Sequence, residues 1–139
     1  MKKLIILILL AANIIASTSD VELKIYKNIL SSIFPNKKAI KVWSDNSKKK
    51  KLFDKIDKVE IVSNQNSADI LILYKQKPQT SDKIVFIGTY RLLKKYHKEA
   101  IGGFYWQKGR PNLLFLRKNL NSHNIHLSKD LEKFIEDNI

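Results

Sequence analysis

Three histidines are the first residues to consider for chemistry, because a neutral imidazole can bind a metal ion or move a proton near neutral pH. His123 and His126 are separated by two residues, whereas His97 lies in a different predicted element. Two ligands cannot complete a zinc site, which takes three or four protein ligands. We therefore predict that the histidines are surface residues and that the chain holds no metal.

The carboxylates do not suggest a general acid/base pair. Asp54, Asp57 and Glu60 lie close in sequence, but Lys55 and Lys58 lie between them, which favours solvated ion pairs. The sequence contains no nucleophile elbow, HExxH motif, Walker loop or dinucleotide-binding glycine fingerprint. These patterns predict a protein that has neither catalytic residues nor a cofactor and whose role is to bind rather than to catalyse.

The absence of cysteine limits the chemistry further. The 139 residues contain none, which excludes thiol catalysis, cysteine zinc sites, iron–sulfur clusters and disulfides. An exported domain of this size can fold on packing alone.

The amino terminus has the pattern of a secretory signal. Lys2 and Lys3 precede an unbroken apolar run over residues 4–12, and small residues follow from Ala16. The run is short for a membrane span, which needs about 20 apolar residues. We predict a cleaved signal peptide over residues 1–17, a single domain over 18–139 and a periplasmic location. The candidate cleavage sites follow Ala16, Ser17 or Ser19.

The chain is strongly basic, with a formal net charge of +13 that falls to +11 once Lys2 and Lys3 leave with the leader. Such a charge favours an anionic partner, although a lysine-rich coding bias is the simpler explanation. Residues 48–51 are four consecutive lysines, which we interpret as a solvated helix face. No array of aromatic and arginine residues suggests nucleic-acid binding.

Hydrophobic periodicity predicts the elements that position these residues. The fold class is α/β, with a mixed sheet of about five to six strands, flanking helices, a C-terminal antiparallel hairpin and a terminal helix. Asp20 is the expected N-cap of the first helix, and Ser128 that of the last. The expected helices span residues 20–34, 48–56, 90–98 and a segment after 128. The expected strands span residues 39–44, 59–62, 68–74, 83–87, 101–107 and 112–117.

Two strand-to-helix turns could bind a small anion. The candidate residues are Ser44, Asn46, Ser47, Gly88 and Thr89. Ligands of open α/β sheets bind beyond the carboxyl ends of the strands, where helix N–H groups are unpaired. Ordinary helix capping uses the same residue types, and on sequence alone it is the simpler explanation.

The hairpin is the most distinctive segment. Phe104 and Trp106 should share one strand face and Tyr105 the other. If one face is exposed, Tyr105, Trp106 and Arg110 form a candidate partner-binding surface, because aromatic residues and arginine dominate binding energy at interfaces. Coverage of both faces by helices is an equally good expectation.

Five segments of the second half follow one another in a recognisable order: residues 68–73, residues 85–89, the glycine pair Gly102–Gly103, the return strand at Leu114–Phe115, and residues 125–128 with Leu131. Through these segments, residues 68–135 resemble the YfiR-like family of small periplasmic regulators. The resemblance implies an exported α/β domain, often dimeric, that restrains a membrane-bound diguanylate cyclase. This chain lacks the cysteines that support redox control in some members, and Leu116–Lys118 depart from the family pattern after the return-strand Phe.

Together these observations predict a periplasmic regulatory or sensor domain without catalytic activity. It would bind a membrane-anchored protein, a diguanylate cyclase or a related sensor, and a homodimer is compatible with the resemblance. The alternative is a periplasmic solute-binding module for a small anionic ligand.

Overall fold

The computed structural model describes residues 14–79 and 82–139. Most of the predicted leader, residues 1–13, lies outside the described residues. In chain order the elements are α1 (Ile14–Ile33), β1 (Ile40–Ser44), α2 (Ser47–Asp54), β2 (Val59–Ile61), a 3-10 turn (Gln65–Ser67), β3 (Ile70–Leu73), β4 (Ile84–Ile87), α3 (Tyr90–Lys95), β5 (Gly102–Gln107), β6 (Arg110–Leu116), α4 (Arg117–Ser122), a terminal 3-10 helix (Lys129–Phe134) and β7 (Ile135–Glu136). Among the described residues, no helix is both long and apolar enough to cross a membrane.

The strands form one mixed sheet in the order β2-β1-β3-β4-β5-β6-β7. Neighbouring strands are parallel except β5 and β6, which form the antiparallel hairpin. The α/β class and the hairpin are therefore confirmed, with seven strands rather than five to six. The chain winds outward from β1 in one direction and from β3 in the other. The crevice between the carboxyl ends of β1 and β3 is thus the switch point at which such sheets bind ligands.

Two apolar clusters cover the two faces of the sheet. The larger one lies beneath α1 and α2 and contains the fully buried rings of Tyr26 and Phe53, whose centroids are 4.8 Å apart. The smaller one includes Leu93 of α3 and Tyr105 of β5. Every residue of β3 is at most 1% exposed, as an unbroken apolar run predicts for a strand covered on both faces.

Helix α1 is longer than predicted, and its buried face includes polar side chains. It spans Ile14–Ile33, so Asp20 lies inside the helix and is not its N-cap. The helix also runs through the predicted cleavage positions. Val21 is 39% exposed, whereas Glu22 and Tyr26 are 5% and 0% exposed. Ile29, Leu30 and Ile33 are buried on the same side of the helix, so the face that meets the sheet combines apolar and polar side chains.

The predicted terminal helix is present as a short 3-10 helix rather than an α-helix. Residues 129–134 form a 3-10 helix, and Ser128 makes no side-chain capping bond. Its hydroxyl instead donates to Asp130. The helix stops at Phe134 because Ile135 pairs with Phe115 of β6 and must be extended. Helix α3 is also shorter than predicted, since it ends at Lys95 with Tyr96 as its C-cap.

The hairpin turn consists of two residues. Lys108 and Gly109 have φ angles of 52° and 75°, as a type I′ turn requires. This turn lets β6 begin at Arg110, which pairs with Gln107, rather than at Asn112. The hairpin is consequently longer than the sequence predicts.

Candidate functional site

The predicted anion-binding turns both lie at the carboxyl edge of the parallel strands. Ser44, Asn46 and Ser47 follow or end β1, while Gly88 and Thr89 follow β4. Strand β3 lies between β1 and β4. The structure therefore brings both turns to one edge, but the chain that leaves β3 at Tyr74 separates them.

The crevice between β1 and β3 is filled by a side chain of the protein itself. The Asp45 carboxylate accepts backbone hydrogen bonds from Tyr74, Lys75 and Gln76, each with a donor–acceptor distance of 2.8 Å. Three converging N–H groups are the arrangement with which proteins bind anions. Asp45 thus supplies the anion at the position where a ligand would bind, and it ties the end of β1 to the end of β3.

The other predicted residues act mainly as caps. The Asn46 side chain accepts from the Lys49 N–H at 3.0 Å, and the Thr89 hydroxyl oxygen accepts from the Leu92 N–H at 3.3 Å. Ser44 is fully buried, and its hydroxyl oxygen accepts from the Asn46 N–H at 3.3 Å. Ser47 is exposed. Each of these bonds satisfies a backbone donor that would otherwise face a ligand.

A buried pair of phenols lies next to this edge. The hydroxyls of Tyr26 on α1 and Tyr74 after β3 are 2.8 Å apart. The Tyr74 ring covers Gly88, where an added Cβ would lie 2.1–2.5 Å from ring atoms. Gly88 therefore lets the ring lie flat against the turn that follows β4.

An ion pair completes this polar cluster, which we define as Glu22, Tyr26, Lys49 and Tyr74. The Lys49 ammonium donates to the Glu22 carboxylate, whose side chain is only 6% exposed, and the ammonium lies 5.8 Å from the Tyr74 ring centroid. Lys49 is thus not a freely solvated member of the lysine run. It joins α2 to α1 across the carboxyl edge of the sheet.

The two phenols are held in the neutral form. Burial raises the pKa of Tyr26 well above its ordinary value, and the charge of Glu22 adds to the rise. Burial also raises the pKa of Tyr74, and the nearby Tyr26, Glu22 and Asp45 raise it further. Neither hydroxyl can therefore act as a base near neutral pH, and the pair serves as a hydrogen bond.

The sequence contained signals for part of this cluster. Glu22 and Tyr26 are four residues apart, which places them on one helical face with apolar neighbours. A carboxylate on such a face needs a buried partner, and Lys49 provides it. The role of Asp45 left no comparable signal, because turn residues of its type usually bond to neighbouring backbone.

The predicted partner-binding residues divide between the two faces of the hairpin. Tyr105 is 8% exposed and packs against Tyr90, with ring centroids 5.2 Å apart. Trp106 is 37% exposed, and its ring meets the Phe104 ring edge-on at 5.9 Å. Arg110 is exposed. The expected alternation of side chains between the two faces of the strand is confirmed. Of the three predicted partner-binding residues, Trp106 and Arg110 are exposed to solvent.

An apolar groove adjoins this hairpin end. It has a volume of about 340 Å³ between α1, the hairpin and the terminal 3-10 helix. Phe104 and Pro111 form its hairpin side, and Pro111 is also the residue opposite Trp106. Ile25, Leu131 and Phe134 form the rest of its apolar wall.

The histidines lie apart from this edge. His97 contacts the Lys94 carbonyl oxygen through Nδ1 at 2.9 Å, and His126 is exposed. In the described part of the chain, no three histidine or acidic side chains come together as a metal site requires. At the entrance of β3, the Asp69 carboxylate pairs with the Lys37 ammonium at 3.2 Å.

No protein-family model matches the chain, and neither a curated protein nor a solved structure is significantly similar to it. The resemblance to the YfiR-like family therefore stays a prediction.

Proposed function

We propose that the chain is an exported regulatory domain without catalytic activity, which binds a membrane-anchored protein through the end of its β5–β6 hairpin. The observation that carries this proposal is the exposure of Trp106. The residue is 37% exposed and lies beside an apolar groove. Burial of an exposed indole is among the largest single contributions to protein association. The groove provides adjoining apolar surface for the same partner.

Charge specifies the chemistry of that partner. Lys108 and Arg110 lie at the tip of the hairpin, whereas the groove itself is lined by one cation and one carboxylate, Lys133 and Asp130. The chain as a whole carries a formal charge of +13. A partner with an apolar anchor surrounded by acidic residues would complement this surface and associate quickly by electrostatic steering.

The leader pattern supports export. We propose a membrane-anchored partner because an exported domain would meet the outer parts of membrane proteins. The resemblance to YfiR-like regulators supports a diguanylate cyclase or a related sensor as that partner. A binding role also agrees with the chemistry of the polar cluster, whose phenols stay protonated and whose charges are already paired.

The test places a photo-crosslinking amino acid at position 106 in the full-length chain, with position 90 as the control. Tyr90 is 38% exposed but lies on α3. We expect an adduct with the extracytoplasmic part of one membrane protein from position 106 only. Cell fractionation in the same cells should recover the shortened chain from the periplasm.

Binding measurements with that purified extracytoplasmic part complete the test. Trp106→Ala should weaken the affinity by about 30-fold, since truncation of a central aromatic residue costs about 2 kcal/mol or more. Arg110→Ala should weaken it less, and Tyr90→Ala should leave it unchanged. Equal crosslinking from both positions, or an affinity that Trp106→Ala does not alter, would refute the proposal.

A further inference from the structure

A second cavity at the carboxyl edge is lined by cations. It has a volume of about 430 Å³ and lies where the chain leaves β3 and enters α3. Lys75 and Lys77 contribute from the connection after β3, while Arg91 and Lys95 contribute from α3. From these residues we infer that the cavity binds a phosphate-bearing anion with at least two negative charges.

The spacing of the residues explains why four cations meet. Arg91 and Lys95 are four residues apart and therefore lie on one face of α3. Lys75 and Lys77 alternate along the chain that follows β3, so their side chains can lean toward the same side. Lys94, next to Lys95, does not line the cavity.

These four cations have no carboxylate partner among the described residues. The ion pairs of that part of the chain join Lys37 with Asp69, Lys49 with Glu22, and Arg117 with Asp137. None of the residues that line the cavity is acidic. The lining of the cavity therefore carries four formal positive charges and no negative one, and an anion of high charge density would lower their mutual repulsion.

The two carboxylates that act on Tyr74, those of Asp45 and Glu22, already have hydrogen-bond partners. The Asp45 carboxylate is held by three backbone N–H groups, one of them from Lys75, and Glu22 is held by Lys49. Both contribute to the raised pKa of Tyr74, which lines the cavity. Asp45 ties the loop after β3 to the end of β1, which fixes the backbone from which Lys75 projects.

The donors suit phosphate. A guanidinium group can bind two phosphate oxygens at once, whereas a lysine ammonium acts as a point charge. The Thr89 hydroxyl accepts from the Leu92 N–H, so its own hydrogen is directed elsewhere and can donate. Tyr96 and Leu92 add an aromatic and an apolar wall. A volume of about 430 Å³ exceeds that of a single phosphate and lies in the ordinary range for small-molecule sites.

This inference goes beyond the proposed function and does not rest on it. The cationic cavity is lined by α3 and the loop after β3, whereas the apolar groove is lined by α1, the hairpin and the terminal 3-10 helix. Loss of one surface would leave the other intact.

The experiment is a calorimetric titration of the purified chain with sodium pyrophosphate at low salt. The site variant is Arg91→Gln/Lys95→Gln, and the matched control is Lys94→Gln/Lys98→Gln, which removes the same charge from neighbouring exposed positions. We expect saturable binding that the site variant weakens about tenfold or more, since each lost bond to a charged group carries a large penalty. The control should stay within about twofold, because exposed charges act weakly at a distance.

A parallel arm distinguishes a soluble ligand from a lipid headgroup. It measures cosedimentation with phosphatidylglycerol vesicles, using phosphatidylcholine vesicles as the blank. Binding of pyrophosphate alone, or of anionic vesicles with the same dependence on Arg91 and Lys95, supports the site and names the source. Binding of neither probe, or equal losses in the site variant and in the control, would overturn it. Failure of the hairpin to crosslink would leave this result unaffected.

Discussion

The hydrogen bond between Tyr26 and Tyr74 gives a prediction whose size can be worked out. Tyr26 is 0% exposed, and its hydroxyl has Tyr74 as its partner at 2.8 Å. Tyr74→Phe removes that partner and leaves a buried hydroxyl unsatisfied, which costs about 1–3 kcal/mol. Replacing both tyrosines with phenylalanine removes the bond without leaving an orphan, and such paired changes are nearly neutral. We therefore expect the double variant to be more stable than the sum of the single changes implies, by about 1 kcal/mol.

Urea unfolding followed by tryptophan fluorescence measures this coupling, with free energies from linear extrapolation. The matched control is Tyr90→Phe, which removes the hydroxyl group of a side chain that is 38% exposed. It should change the free energy of unfolding by less than about 0.5 kcal/mol. A Tyr74→Phe variant as stable as the wild type, or strictly additive effects in the cycle, would refute the reasoning about the buried phenols.

Two further predictions concern charged groups. Lys49→Met leaves a nearly buried carboxylate without its partner and should lower the free energy of unfolding by about 3 kcal/mol or more. The control Lys48→Met removes an exposed charge of the same lysine run and should lower it little. Equal urea midpoints for the two variants would contradict the role of the ion pair. Bonds from the Ser128 hydroxyl and the Asn28 amide hold the pKa of Asp130 below its ordinary value of 3.8. The stabilisation is therefore present above that value and is lost as the pH falls through the folded pKa. The urea midpoint of the wild type should exceed that of Asp130→Asn at pH 6 and lose this advantage toward pH 3, and a difference independent of pH would rule this out.

The sequence predicted the elements whose signals are local. The apolar runs that became β3 and β4 lie within one residue or two of their expected bounds. The hairpin followed from Gly109, which adopts the positive φ that its turn requires. These features depend on propensity and on neighbouring residues, so the chain itself carries enough information to locate them.

The features that the sequence did not reveal depend on distant partners. The terminal segment becomes a 3-10 helix and a strand because Ile135 finds Phe115, which is 20 positions away. Asp45 binds backbone groups 29 to 31 positions away. Lys49 meets Glu22 across 27 positions. Such contacts are set by the strand order, which periodicity alone does not specify.

The sheet topology places the predicted anion-binding residues at one edge of the sheet. The side chains of two of them are engaged there in helix capping. The Asn46 side-chain oxygen and the Thr89 hydroxyl oxygen each already accept a backbone hydrogen bond, which leaves the Thr89 hydroxyl hydrogen available to a ligand. The cationic cavity escaped prediction because its four charges come from two separate segments. Lysines scattered through a basic chain give no sign of which ones will meet.

The two edge strands of the seven-stranded sheet are its shortest strands. β2 has three residues and β7 has two. A long bare strand invites a second chain to extend the sheet, and natural proteins avoid polymerisation by keeping such borders short. β7 pairs only with Phe115 and Leu116, so residues 110–114 of β6 extend beyond it at that border. Pro111 in this stretch has no N–H to donate, which interrupts the row of main-chain donors that a second chain would need.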